Sequence, residues 1–122
     1  MQVKRNLYIY SGTRLVKISI ETSKTNIKNK MITYTDCCSI SFQKTNKAAL
    51  TGGFCASLTN FNDKFLFLSG GCSGGEIYDR VEMYDISANK WTQAPKLNTA
   101  RYWHSACCVD NSSIYVFFGM NH

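Results

Sequence analysis

The side chains best suited to chemistry are six cysteines, at 37, 38, 55, 72, 107 and 108, and two histidines, His104 and His122. Zinc is usually gripped by cysteines with two to four residues between them, with further His or Cys ligands at a set distance. Here four of the six form the adjacent pairs Cys37-Cys38 and Cys107-Cys108, and neighbours on a strand point to opposite faces. Two ligands aimed apart do not hold one ion. A disulfide framework belongs to secreted domains, and the stretch Met1 to Asn6 lacks the apolar core of a secretory signal. The cysteines read as small strand hydrophobes, some buried and some not, in a protein expected in the cytosol or nucleus. Whether Cys107 and Cys108 react depends on exposure and pKa.

General acid–base or nucleophilic catalysis needs a convergent set of groups. His104 stands beside Ser105 on one predicted strand, too close along the chain for the two to point together. Asp85 and Glu82 belong to no recognisable catalytic pattern, and a copper or radical centre would need several histidines with a Tyr–Cys arrangement. No catalytic residue, metal ligand or cofactor is assigned, and the chain reads as non-enzymatic.

Charge is the remaining resource. The net charge is +6. Residues 1–47 hold nine Lys/Arg against two acids, whereas residues 48–122 hold five against six. The densest basic run, Lys24 to Lys30, could meet nucleic acid or an acidic partner, but no aromatic side chain interleaves it for base stacking. A solvated polar loop is the simpler reading, with nucleic-acid binding unlooked for. No stretch approaches the ~18 consecutive apolar residues of a membrane-spanning helix.

The elements that must carry these residues are strands. Runs rich in Ile, Val, Thr, Tyr and Phe occupy Asn6–Ser11, Arg14–Glu21, Met31–Thr35, Cys37–Phe42, Ala48–Thr51, Cys55–Asn60, Lys64–Ser69, Arg80–Ile86, Lys90–Gln93, Tyr102–Val109 and Ser113–Phe118. Asn62-Asp63 and Asp110-Asn111-Ser112 are hairpin turn signals. No 3.6-residue period is sustained, so no long helix is expected. Many short strands mean a sandwich, barrel or propeller.

An internal repeat chooses among these. An apolar strand ending in small residues and Gly recurs as Leu7–Gly12, Ala49–Gly53, Phe65–Gly71 and Ile114–Gly119. Residues 80–91 align without gaps to 14–25, matching Arg14 to Arg80, Ile20 to Ile86 and Lys24 to Lys90. A third strand precedes the glycines: Cys37-Cys-Ser-Ile, Cys55-Ala-Ser-Leu and Ser105-Ala-Cys-Cys.

With Gly70-Gly71, then Tyr84-Asp85, Trp91, Pro95 and Leu97, residues 54–98 resemble one kelch repeat. Arg101, His104 and Ser105 resemble the opening of a further half-copy over 99–122, in which Met120 stands where a second glycine is expected; residues 1–53 are degenerate copies. The resemblance implies an all-β fold of antiparallel four-stranded blades, with Gly70, Gly71, Tyr84 and Trp91 building the blade rather than doing chemistry. First glycines at 12, 52, 70 and 119 leave room for only two strands between Gly53 and Gly70, so one blade is expected to lack its outer two strands. The count is about eleven strands, just under three blades, fewer than the 4–8 blades at which propellers typically close. The expectation is therefore an incomplete kelch-type β-propeller, a fragment or shortened relative of a larger protein, or a subunit that self-associates through open blade faces.

Kelch-like propellers generally bind proteins through loops on one face. That implication falls here on the loop from Cys72 to Asp79 and the stretch from Lys96 to Tyr102, with Ser73, Glu76, Tyr78, Asp79, Arg101 and Tyr102 as candidate partner-binding residues. The leading expectation is a protein-interaction module. The alternatives are a basic surface acting through residues 1–47 and a truncated product without a function of its own.

Overall fold

The computed structural model describes residues 2–11, 14–26, 32–45 and 54–121. Among these, every regular element is a strand and every ladder is antiparallel. The first sheet is a meander of β1 (Gln2–Ser11), β2 (Arg14–Asn26) and β3 (Ile32–Lys44). The second has four strands in the order β4 (Ser57–Phe61), β5 (Phe65–Ser69), β8 (Val81–Asp85) and β9 (Lys90–Ala94). The third pairs β10 (Ser105–Val109) with β11 (Ser113–Phe117). A miniature hairpin, β6 (Cys72–Ser73) and β7 (Glu76–Ile77), rises from the connection between β5 and β8. It escapes sequence reading because two-residue strands show no periodicity; Gly74 and Gly75 form its turn.

Two expected strands, Met31–Thr35 and Cys37–Phe42, are one strand. Asp36 had marked a break, yet it pairs with Thr22 inside a continuous ladder with β2. A single Asp flanked by strand-forming residues does not end a strand that a long neighbour templates. Cys37-Cys-Ser-Ile consequently opens no new sheet: Cys38 pairs with Ile20 and Ile40 with Ile18, as the outer edge of the first sheet. That sheet keeps its outer strands and, among the described residues, lacks a counterpart of β4. The expected strand Ala48–Thr51, the glycines at 12, 52 and 53, and the end of the basic run at 27–30 lie outside the described residues.

The second and third sheets repeat with a period of 48 residues. The isolated bridge Phe54–Cys72 recurs as Tyr102–Met120. Left-handed residues Cys55, Asn62 and Asp63 recur as Trp103, Asp110 and Asn111. Both two-residue turns have positive φ at each position, the twist that matches a tight hairpin. On this register Gly119 answers Gly71, and Phe118 answers Gly70. The replaced glycine is therefore the first of the pair, not the second. Counting back from Phe54, Gly53 stands 48 residues before Arg101.

Apolar alternation stacks the sheets face to face. Tyr8 and Leu15 of the first sheet meet Leu66 and Tyr84 of the second in one buried cluster, with Tyr10, Leu58, Ile86 and Trp91 around it. The rings of Tyr10 and Tyr84 each lie 5.0 Å from Trp91. Aromatics contribute large buried areas at such contacts. On its other side the second sheet turns Thr59, Phe67 and Ser69 toward Ile114 and Val116 of the third, across a hollow of about 240 Å³.

Candidate interaction surface at the glycine end

Ser69 ends β5, and residues 70–80 must carry the chain back to β8. Gly70 N–H donates to the carbonyl of Arg80 (3.0 Å) and Tyr78 N–H to that of Gly71 (2.8 Å), closing the base of the β6–β7 hairpin. The connection from β9 to β10 then folds over this base. Leu97 N–H donates to Asp79 O, Arg101 N–H to Tyr78 O, Gly71 N–H to Arg101 O and Trp103 N–H to Cys55 O, at 2.8–3.1 Å. Backbone polar groups that packing takes from water are thereby paired.

This crossing explains Gly70. A Cβ there would collide with the carbonyl of Arg101 and would meet His104 Cε1 at 2.6 Å. The residue also holds φ +62, which L side chains rarely adopt.

His104 is the third part of the joint. Its Nε2 lies 2.9 Å from Ser69 Oγ, with both residues buried. Burial first, and the Arg101 guanidinium second, hold its pKa below the usual histidine range, so the ring is neutral at pH 7. Sequence reading set His104 against Ser105 and missed Ser69, its partner from the preceding sheet; 35 residues of separation carry no local signal. A serine–histidine contact suggests a nucleophile and base. Here Nδ1 has no partner, so no acid orients the ring, and the pair is shut inside the sheet junction. It works as a rivet between sheets.

The candidate partner-binding residues divide. Arg101 donates Nη1 to Phe118 O (2.8 Å) and Nε to Thr99 O (3.3 Å), and both its backbone groups are also engaged. Asp79 pairs with Lys96 at 3.2 Å. The Tyr78 ring lies under the Arg80 guanidinium, 4.2 Å from its centroid. These three hold the loops together. Ser73 and Tyr102 instead line a cleft of about 260 Å³ with Phe54, Cys72 and Ile77, and Glu76 is exposed on the hairpin beside it. Phe54 (72% exposed) and Trp103 (65%) stand out at this end, with Trp103 5.2 Å from Tyr102. Sequence reading missed both aromatics. In the 48-residue register Phe54 stands where Tyr102 recurs and Cys55, at φ 60, where Trp103 recurs at φ 54, a backbone feature with no local sequence signal.

At the opposite end, Asp63 in the β4–β5 turn gathers the first sheet. Its carboxylate accepts from Asn6 Nδ2 (2.9 Å) and Asn60 Nδ2 (2.7 Å), and Asn6 Oδ1 accepts from Ser19 Oγ (2.7 Å). Tyr8 also bonds Asp63; burial, the nearby carboxylate and that hydrogen bond push its pKa up to about 12. No group of three or more His, Cys, Asp or Glu side chains placed to share a metal ion occurs among the described residues.

Glycine pair, aromatic strands and loop-over-loop joint together define the blade of a repeat protein. Residues 66–98 match the family described as the Kelch motif. The match begins within β5 and runs through β9 and Pro95. That segment of the chain is therefore a kelch repeat. The chain is 35% identical over 51 residues to Kelch-like protein 21 of Danio rerio, a segment covering 42% of this chain and 8% of that protein. It is 33% identical over 57 residues to Kelch-like protein 34 of Homo sapiens, covering 47% and 9%. Kelch-like protein 21 of Bos taurus gives 36% over 45 residues, covering 37% and 8%. The matched segments span less than a tenth of those relatives.

Proposed function

We propose that this chain is a non-enzymatic protein-interaction module that receives a partner at its glycine end, in the cleft between the β6–β7 hairpin and the bridge at Tyr102. The exposed pair Phe54 and Trp103 carries this reading. Large exposed aromatics are the anchors protein interfaces use; here Phe54 lines the cleft with Ser73 and Tyr102, and Trp103 stands beside it, 5.2 Å from Tyr102. Glu76 supplies a charge at the edge. The partner class that fits is a polypeptide loop offering an apolar side chain to the cleft.

Affinity capture from cells tests this with Trp103→Ala and Glu76→Arg, set against Lys64→Glu at the opposite end of the blade. Trp103→Ala should reduce recovery of bound protein at least tenfold, Glu76→Arg should reduce it less, and Lys64→Glu should leave it unchanged. Equal recovery by all variants, or equal loss with Lys64→Glu, overturns the reading.

A further inference from the structure

The β6–β7 hairpin pairs Cys72 with Ile77 and Ser73 with Glu76, so Glu76 stands directly across from a residue that lines the cleft. Glu76 is exposed, and among the described residues its carboxylate has no ion pair or hydrogen bond. The basic side chains of the two crossing loops are already committed elsewhere. Lys96 is held by Asp79 at 3.2 Å. The Arg80 guanidinium lies on the Tyr78 ring, and Arg101 donates to the carbonyls of Thr99 and Phe118. These cations hold the loops together and leave Glu76 without a counter-charge.

Two aromatic residues, Phe54 and Tyr102, line the same cleft, and Phe54 stands mostly in solvent. The hairpin turn leaves room beside them: a Cβ at Gly74 or Gly75 would meet nothing within 4 Å. Aromatic faces carry partial negative charge and attract cations, guanidinium groups above all. The chain uses that attraction itself in the same loop, where Arg80 sits 4.2 Å from the Tyr78 ring centroid.

We infer that the residue the cleft receives is basic: an arginine or lysine of the partner, with its stem along Phe54 and its charged head at Glu76. This rests on the reading of the cleft as the partner's seat and adds the chemistry of the residue that fills it. Both stems are apolar, so either side chain covers an aromatic wall while keeping its charge at the rim. Arginine fits better than lysine, because its planar head both stacks on a ring and forks onto a carboxylate. An acidic residue meets the opposite conditions, repelled by Glu76 and by the ring faces. A purely apolar residue uses the rings and leaves the carboxylate idle.

Selection of a displayed random-peptide library on the immobilised 122-residue chain tests it. On wild type, peptides with Arg or Lys at one shared position should be enriched at least tenfold over the starting library. Phe54→Ala should abolish that enrichment. Glu76→Gln should weaken the preference for a basic residue, and Glu76→Lys should reverse it to Asp or Glu. Both positions are exposed, so circular dichroism of each variant should match wild type. Peptides that depend on Phe54 but share an apolar or acidic residue in place of a basic one overturn the inference and leave the cleft as a binding site. So does a basic preference that Glu76→Lys leaves in place. A selection that enriches nothing, or whose peptides are indifferent to Phe54→Ala, removes the cleft and the inference together.

Discussion

Gly70 and Phe118 occupy one position in two successive sheets and answer to different surroundings. Gly70 lies under the Arg101 carbonyl and His104, so Gly70→Ala adds a collision to an unfavourable φ. Chemical denaturation should show a loss of about 2–4 kcal/mol. Phe118 shares the backbone conformation with its ring free in solvent, so Phe118→Gly relieves the conformational cost and should stay within about 1 kcal/mol of wild type. If both substitutions cost the same, the crossing is not what selects glycine. Tyr8 offers a second reading at this scale. Its pKa near 12 exceeds the unfolded value of 10.0, so its contribution to stability is complete below pH 10 and is lost as pH rises from 10 toward 12. Carbon NMR of labelled tyrosine rings should find one phenol titrating near that value. Asp63→Asn should lower it while leaving it above 10, because burial is the larger cause.

Among the elements, β8 does most to join the first two sheets. Tyr84 is fully buried, its hydroxyl donates to Asn89 Oδ1 (2.6 Å), and Asn89 Nδ2 reaches the carbonyl of Lys44 at the end of β3 (3.3 Å). Tyr84→Phe should cost about 1 kcal/mol, the net worth of one hydrogen bond, and Tyr84→Ala about 3–5 kcal/mol, as for other buried aromatics. Thermal unfolding followed by circular dichroism separates them; equal losses would mean the hydroxyl, not the ring, secures the junction. Strand existence was legible from alternation, as in β5 and β11, and Asn62-Asp63 announced its turn by residue type. What misled was local. Asp36 looked like a terminator because its ladder partner Thr22 is distant in sequence. The cleft was half legible: the loops holding Ser73, Glu76 and Tyr102 could be named, but Phe54 and Trp103 could not, since apolar side chains read as core until the backbone turns them outward.

At the scale of the whole molecule, the described residues stack three sheets face to face across two junctions. Rivets cross each junction: Asp63 to Asn6 and Tyr8 at the first, Ser69 to His104 at the second. Neither was readable, since each joins residues more than thirty positions apart that share no spacing rule. The 48-residue register bears on how such a chain can lengthen. An in-frame duplication of the codons for 64–111 would insert one complete unit, bringing its own glycine pair, Tyr84, Trp91 and the Arg101–His104 crossing. Each new crossing would land on a glycine. The sequence thus holds a segment whose duplication would extend the stack by one complete sheet without disturbing either neighbour.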